Sequence, residues 1–183
     1  MNHNEVLMHP GNLTFQQEKD YYVSEELYTL ITQQPFCEGL SDRHLQWLAR
    51  CAVELEFEAG EWIFEKGGPA SRFYLILEGK AVLRSETKHH GIVASQTFGR
   101  GEILGWTWLF PQQHMFPPYH FEFSAQAIEP TKTIFFYATQ LRERSGEDHA
   151  FGYELTNRIA SVVTQNLKAI EQRLAQRGST RAL

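Results

Sequence analysis

The chain has 183 residues, of which 42% are hydrophobic and 13% aromatic, and this composition is typical of one folded domain with a proper core. Its 17 basic and 22 acidic residues give a net charge of −5, which disfavours a nucleic-acid-binding face. No apolar run reaches the roughly 18 residues of a membrane span, and the N-terminus has no basic stretch followed by an apolar one, so we expect a soluble, cytoplasmic protein.

The N-terminal part of the chain is predicted to be an arm followed by two helices. Residues 1–23 are polar and mixed, and we expect a flexible arm there. Ser24 is placed as the N-cap of a first helix, which Pro35 ends. Ser41 or Asp42 caps a second helix. Its apolar face is made of Leu45, Leu48, Ala49 and Ala52.

The hydrophobic period then changes to two, which indicates strands. Short strands about ten residues apart, joined by glycine turns, predict a closed β-sandwich or barrel. The stretch GRGEILGWTWLF, residues 99–110, is interpreted as a glycine-punctuated turn that runs into a tryptophan-rich segment. The predicted strands are 54–59, 62–64, 72–77, 80–84, 91–96, 121–128 and 133–137.

After residue 139 the pattern is helical to the end of the chain. Apolar residues follow steps of four and three along a helix of about 25 residues. The heptad-like spacing favours a homodimer through this helix, while the alternative is that the seam covers the barrel. The seam consists of Leu155, Ile159, Val163, Leu167, Ile170 and Leu174.

The histidines and cysteines do not have the spacing of a metal site. The two cysteines lack CxxC spacing, so neither zinc nor an iron–sulfur cluster is predicted. His89, His90, His114 and His120 are the candidate metal ligands, but His89 and His90 are adjacent and would point to opposite faces of a strand. A solvated hairpin turn at 89–90 is therefore favoured over a metal site. A cupin-type metal-dependent enzyme stays open as a third interpretation, although no P-loop, glycine-flanked serine or convincing acid pair is present.

Residues 57–83, FEAGEWIFEKGGPASRFYLILEGKAVL, resemble the opening strands of the cyclic-nucleotide-binding domain. The specific features are AGE at 59–61, GG at 67–68 and FYLILEG at 73–79. The resemblance covers about residues 25–175 and implies an eight-stranded jelly roll, or double-stranded β-helix, with flanking helices, as in Crp/Fnr-type regulators. We therefore expect lead-in helices and a barrel over 24–140, followed over 141–183 by C-terminal helices that include a dimerising helix.

The family's phosphate-binding cassette resembles the turn at 99–110. In the family, backbone N–H groups at the start of a short helix cradle the cyclic phosphate, an arginine neutralises it, and a glutamate accepts a hydrogen bond from the ribose. Here the glutamate position holds Trp106, and the arginine position holds Phe121, or His120 if the alignment shifts by one. The candidate cassette residues are Gly101, Glu102, Ile103, Leu104, Gly105, Trp106, Thr107, Trp108, His120, Phe121 and Ser124.

Because both charged anchors are replaced, we do not expect cAMP to bind in the usual way. The aromatic residues of the segment leave two interpretations, a stacking pocket for a planar or apolar ligand and a pocket that the rings fill themselves. By the resemblance, Asn166 and Leu167 lie near where the family's last helix reaches the ligand's base, although the preferred interpretation of Asn166 is a solvent or interface residue. The aromatic residues are Trp106, Trp108, Phe110, Tyr119, Phe121 and Phe123.

The sequence as a whole predicts a non-catalytic sensor or regulatory module without a cofactor or a metal. Its ligand, a cyclic nucleotide or another small molecule, is not identified, and a self-filled structural or protein-interaction module is the main alternative. Because the chain ends at Leu183, it has no room for a helix-turn-helix after the last helix, so direct DNA binding is not expected and a protein partner stays open.

Overall fold

A computed structural model of the chain describes residues 24–87, 91–109 and 120–180. The predicted arm over 1–23 lies outside the described residues, as do His89, His90, Phe110, His114 and Tyr119. Within the described ranges no helix is long and apolar enough to cross a membrane, and no three His, Cys, Asp or Glu side chains converge as metal ligands would.

Eight strands form in the described residues, arranged as two four-stranded antiparallel sheets, which confirms the expected mainly-β fold. The first sheet has the order β1-β8-β3-β6 and the second β2-β7-β4-β5. The strands are β1 Val53–Phe57, β2 Trp62–Phe64, β3 Arg72–Glu78, β4 Ala81–Thr87, β5 Gly91–Phe98, β6 Ile103–Leu104, β7 Ser124–Ala127 and β8 Thr131–Tyr137.

Within the part of the chain that the structure describes, four α-helices flank the sheets, and hydrogen-bonding side chains cap three of them. The helices are α1 Glu25–Thr32, α2 Asp42–Cys51, α3 Ala138–Glu147 and α4 His149–Thr180. The hydroxyls of Ser24 and Ser41 accept from backbone N–H groups in the first turns of α1 and α2, as predicted. Asp148, between α3 and α4, accepts from the backbone N–H of Phe151.

The five central residues of strand β3, 73–77, are apolar and buried because both faces of the first sheet are covered. On one face, Phe73 and Leu75 pack in a core shared with the helices. On the other face, Tyr74 and Ile76 pack in a second core between the two sheets. The unbroken apolar run FYLIL therefore reflects burial on both faces of the strand. A strand with one solvent-exposed face would alternate apolar and polar residues.

The first half of α4 belongs to the helical core. Leu155 is 4% exposed and Ile159 is fully buried, and both pack in the cluster that holds β3 and β8 against the helices. These two residues of the predicted seam thus cover the barrel within their own chain. The side chains of Ile170 and Leu174 lie outside the described part of the helix.

Two elements differ from the sequence prediction. Ile103 and Leu104, interpreted as part of a turn, form the short strand β6, which pairs with Leu75 and Tyr74 of β3 and is too brief to show a period. The strand predicted over 121–128 is confined to β7, because the backbone of Phe121 instead exchanges hydrogen bonds with the 67–68 turn at 2.8 and 2.9 Å.

Neither cysteine forms a disulfide within the described residues. Burial raises the pKa of the Cys37 thiol to about 12, so it stays protonated and packs as a small apolar side chain in the helical core.

Candidate ligand-binding site

A cavity of about 330 Å³ lies between the inner face of the second sheet and α4. Its floor comes from strands whose side chains also build the core between the sheets. The strand residues in its wall are Phe64, Leu83, Gln96, Phe98 and Leu104. The remaining wall residues are Gly105, Trp106, Thr107, Phe121, Glu122 and Phe123, with Val163, Asn166 and Leu167 from α4.

Gly105 sets the direction in which the chain leaves β6. It has φ +76°, a left-handed conformation that glycine adopts without strain, and a Cβ added there would lie 2.6 Å from the carbonyl oxygen of Arg72. A 3₁₀ turn, Trp106–Leu109, follows at once. Tight contact with β3 therefore requires glycine at this position and directs Trp106 and Thr107 to the cavity wall.

Phe121 is held rigidly in the wall opposite. Its ring stacks on Phe64 with centroids 4.0 Å apart and planes 18° apart, and it is 6% exposed. Its backbone is fixed by the two hydrogen bonds to the 67–68 turn. The pair of rings fills part of the space and leaves the cavity open beside it.

Two hydroxyl groups near the cavity remain neutral hydrogen-bonding groups. Burial raises the pKa of the Tyr74 phenol, which donates to the carbonyl oxygen of Ile63 at 3.3 Å and stacks its ring on Phe64. The hydroxyl of Thr107 is buried and has no hydrogen-bond partner. The wall at this end is thus uncharged.

Helix α4 closes the cavity with an amide side chain. Asn166 Oδ1 accepts a hydrogen bond of 2.8 Å from Gln96 Nε2 of β5, and both residues line the cavity. Val163 and Leu167 flank Asn166. A molecule in the cavity would therefore contact the barrel and the helix at once.

The charge balance of the wall disfavours anions. Glu122, which is exposed, has the one charged side chain among the described residues that line the cavity, and none of them is lysine or arginine. An anionic group buried there would lose its hydration without gaining a cationic partner.

Five of the predicted cassette residues line the cavity and six do not. Leu104, Gly105, Trp106, Thr107 and Phe121 line it, and so do three residues that the sequence analysis named on the last helix, Val163, Asn166 and Leu167. Phe123, named with the aromatic residues, lines it as well.

Two of the other six cassette residues lie in the helical core. Trp108 is 1% exposed and meets Phe73 edge to face, and Ile103 is fully buried beside them. Trp108 therefore stabilises the fold and does not offer a stacking surface to the cavity.

Gly101 and Glu102 border a separate polar groove of about 550 Å³ between the 100–102 turn and α4. The carboxylate of Glu102 accepts from the Gly99 N–H at 2.7 Å and so closes its own turn. His120 is exposed and forms a β-bridge with Pro69, and Ser124 accepts from the N–H of Lys66. None of these four residues faces the cavity.

Sequence reasoning missed five wall residues. Alternation of apolar and polar residues along the strands predicts that some of them point inward. It does not show that α4 leaves a cavity above them. The residues are Phe64, Leu83, Gln96, Phe98 and Glu122.

The family model of the cyclic nucleotide-binding domain matches residues 54–145, half of the chain, and this range contains every wall residue except those of α4. The chain belongs to the cyclic nucleotide-binding domain family. Members of this family are regulatory sensor domains and are generally not enzymes. A comparison with curated proteins found no match.

Solved structures share the cyclic nucleotide-binding fold. A protein from Geobacter metallireducens, described as cyclic nucleotide-binding, is 29% identical, with 78% of this chain and 96% of that chain covered and a TM-score of 0.64. The catabolite activator protein of Thermus thermophilus is 17% identical, with coverages of 79% and 63% and a TM-score of 0.60. The regulatory subunit of a cAMP-independent protein kinase A from Trypanosoma brucei is 18% identical, with coverages of 86% and 50% and a TM-score of 0.62.

Proposed function

We propose that this chain is a non-catalytic, ligand-sensing regulatory module that keeps the family's cavity but has lost the charged anchors for a cyclic nucleotide. One observation carries the proposal. Trp106 and Phe121, at the positions where the resemblance places the glutamate and the arginine, both line the same cavity. Their rings offer stacking and apolar contact in place of a carboxylate and a guanidinium.

The loss of both anchors is large enough to remove ordinary cAMP binding. A hydrogen bond to a charged group contributes about 1.5–3 kcal/mol, so two of them correspond to about two to four powers of ten in affinity. The described wall offers no cation for a phosphate. The Trypanosoma structure, whose description calls its kinase cAMP-independent, is a parallel with the same fold.

The remaining volume supports ligand binding over a self-filled module. Small-molecule sites commonly occupy about 300–1,000 Å³ and are lined mainly by apolar side chains with a few polar groups. The cavity, at about 330 Å³, lies at the lower end of that range although Phe121 already occupies part of the space. A ligand there would contact α4, so its binding would be transmitted through this helix to the rest of the molecule.

We also propose that the second half of α4 is where two copies meet. Leu167 is 56% exposed, whereas the seam residues Leu155 and Ile159 are buried within the chain. An apolar side chain of this kind near the mouth of the cavity would be covered by the same helix of a second copy.

The test is a thermal-shift titration with cAMP, cGMP and cyclic dinucleotides. A ligand that binds only the folded state stabilises it by about 2.7 kcal/mol at a hundredfold excess over its dissociation constant. We expect no saturable shift for the unmodified protein at millimolar cAMP. A clear shift would overturn the loss of nucleotide binding.

A double variant, Trp106→Glu with Phe121→Arg, tests the aligned positions. It should gain a saturable response to cAMP, with Trp106→Glu alone as a milder version if the buried arginine prevents folding. Trp62→Glu is the matched control, because Trp62 is 40% exposed on β2 and does not line the cavity. If circular dichroism shows both variants folded and neither responds, the assigned positions are wrong.

A further inference from the structure

Two amide side chains in the cavity wall indicate which hydrogen-bonding groups a ligand there would carry. Gln96 and Asn166 share one hydrogen bond of 2.8 Å across the gap between β5 and α4. Among the described residues, neither side chain makes a second hydrogen bond. Each primary amide has more hydrogen-bonding capacity than one bond uses.

The groups that take no part in this hydrogen bond are one NH₂ group and one carbonyl oxygen, whichever way the amides are oriented. With Gln96 donating, its carbonyl oxygen and the NH₂ group of Asn166 remain. If both amides are turned over, the NH₂ group of Gln96 and the oxygen of Asn166 remain instead. The pair therefore matches a ligand edge that carries an acceptor next to a donor, as in a carboxamide or a lactam.

The rest of the cavity favours a flat apolar body on that ligand. Aromatic rings from Phe64, Phe98 and Trp106 line it, together with Phe121 and Phe123. Stacked or edge-on aromatic contacts are favourable beyond the area they bury. With Glu122 as the one charged side chain in the described wall, a neutral ligand is accommodated better than an anion.

We propose that the cavity binds a neutral, planar aromatic molecule with a carboxamide or lactam edge, which pairs with Gln96 and Asn166. The proposal rests on the proposed function, because it assigns the ligand class of the same cavity. It also gives Asn166 a specificity-determining role, since this residue joins the ligand to α4.

Three naphthalene compounds of similar shape test the proposal by isothermal titration of the full chain. They are naphthalene-2-carboxamide, the ketone 2-acetylnaphthalene and naphthalene-2-carboxylate. The carboxamide should bind about three- to tenfold more tightly than the ketone, since one hydrogen bond distinguishes them. The carboxylate should bind most weakly of the three.

A charge change at Asn166 should invert this preference. Asn166→Asp replaces the amide NH₂ group by a second acceptor, so the cation naphthalene-2-carboxamidine should replace the carboxamide as the tightest ligand. Asn157→Asp is the matched control, because Asn157 lies on the same helix and borders the polar groove rather than the cavity. It should leave the order of the ligands unchanged.

The outcomes separate this inference from the proposed function. Equal or tighter binding of the carboxylate, or no preference for the carboxamide over the ketone, would overturn the ligand class and leave a ligand-sensing cavity in place. A protein that binds cAMP and none of the naphthalene compounds would overturn both. Binding of the carboxamide that Asn166→Asp does not alter would remove Asn166 from the site.

Discussion

The two halves of the long helix α4 differ in what they contact, although their hydrophobic spacing is the same. In the first half, Leu155 and Ile159 are buried against the sheet and the other helices. Val163, near the middle of the helix, and Asn166, in the second half, border a cavity, and Leu167 is 56% exposed. The first half therefore holds the fold together, whereas the second half has room for a ligand or a partner.

The largest expected effect is in the buried half. Ile159→Ala should lower the free energy of unfolding by about 2–5 kcal/mol, because it leaves a cavity in a fully packed core. Val163→Ala, beside the existing cavity, should cost only about 1 kcal/mol. Urea denaturation of both variants measures the difference. Equal losses would mean that Val163 is packed as tightly as Ile159.

The second effect concerns a side chain that joins the first half of α4 to the lead-in segment. The guanidinium of Arg158 donates to the carbonyl oxygens of Phe36 at 3.0 Å and Glu38 at 2.6 Å, and it pairs with Glu154 at 3.2 Å. Arg158→Met keeps the apolar stem and removes these donors, so it should cost about 1–3 kcal/mol in urea denaturation.

The matched control for Arg158 lies in the second half of the helix. Lys168→Met removes an exposed cation there and should change the free energy of unfolding by no more than about 0.5 kcal/mol. A loss as large as that of Arg158→Met would show that the second half also depends on a charged anchor.

The difference between the halves explains how far the sequence could predict the molecule. The helix and its apolar steps follow from local spacing, and the run FYLIL at 73–77 predicts a strand that the structure confirms. Which apolar residues of α4 are buried depends on the sheet beneath them, and periodicity carries no information about that. The residues of α4 that lie in the core and those at the mouth of the cavity therefore show the same hydrophobic spacing.

The candidate site shows the same limit. The sequence predicted the glycine-punctuated turn, and Trp106 and Phe121, which the resemblance assigned to the anchor positions, line the cavity. Trp108, two residues from Trp106, points instead into the helical core, because the 3₁₀ turn separates their directions. A 3₁₀ turn of four residues is too short for hydrophobic spacing to predict where each side chain points. Gln96, on a distant strand, reaches the site through the tertiary fold alone.

A third prediction concerns acid stability at the start of α4. The backbone N–H of Phe151 and the ring of His44 hold the pKa of Asp148 below its ordinary value. The unfolded chain therefore binds the proton more readily than the folded one. The stabilisation is complete above the ordinary pKa of about 3.9 and is lost as the pH falls through the lowered folded value.

Asp148→Asn should accordingly be less stable than the unmodified protein at pH 5, and the gap should narrow towards pH 3. Urea midpoints across this range measure it, with Glu147→Gln, an exposed neighbour, as the control whose curve should run parallel to that of the unmodified protein. A gap that stays constant with pH would show that Asp148 acts only as a neutral cap.

The smallest effect on stability is expected for a substitution at Leu167, which should change the association of two copies rather than the free energy of unfolding. Leu167→Glu should change the free energy of unfolding by no more than about 0.5 kcal/mol, because the side chain is already largely in water. If the second half of α4 is the contact between copies, a buried carboxylate without a partner should shift the protein towards the 21.2 kDa monomer in sedimentation velocity. Tyr153→Glu, at a position 68% exposed in the first half, is the control that should leave association unchanged.

Two results would contradict a contact between copies that is confined to the second half of α4. One is a monomer at high concentration without any substitution, and the other is an equal effect of both variants. The exposure of Leu167 would then be explained by its position at the mouth of the cavity alone.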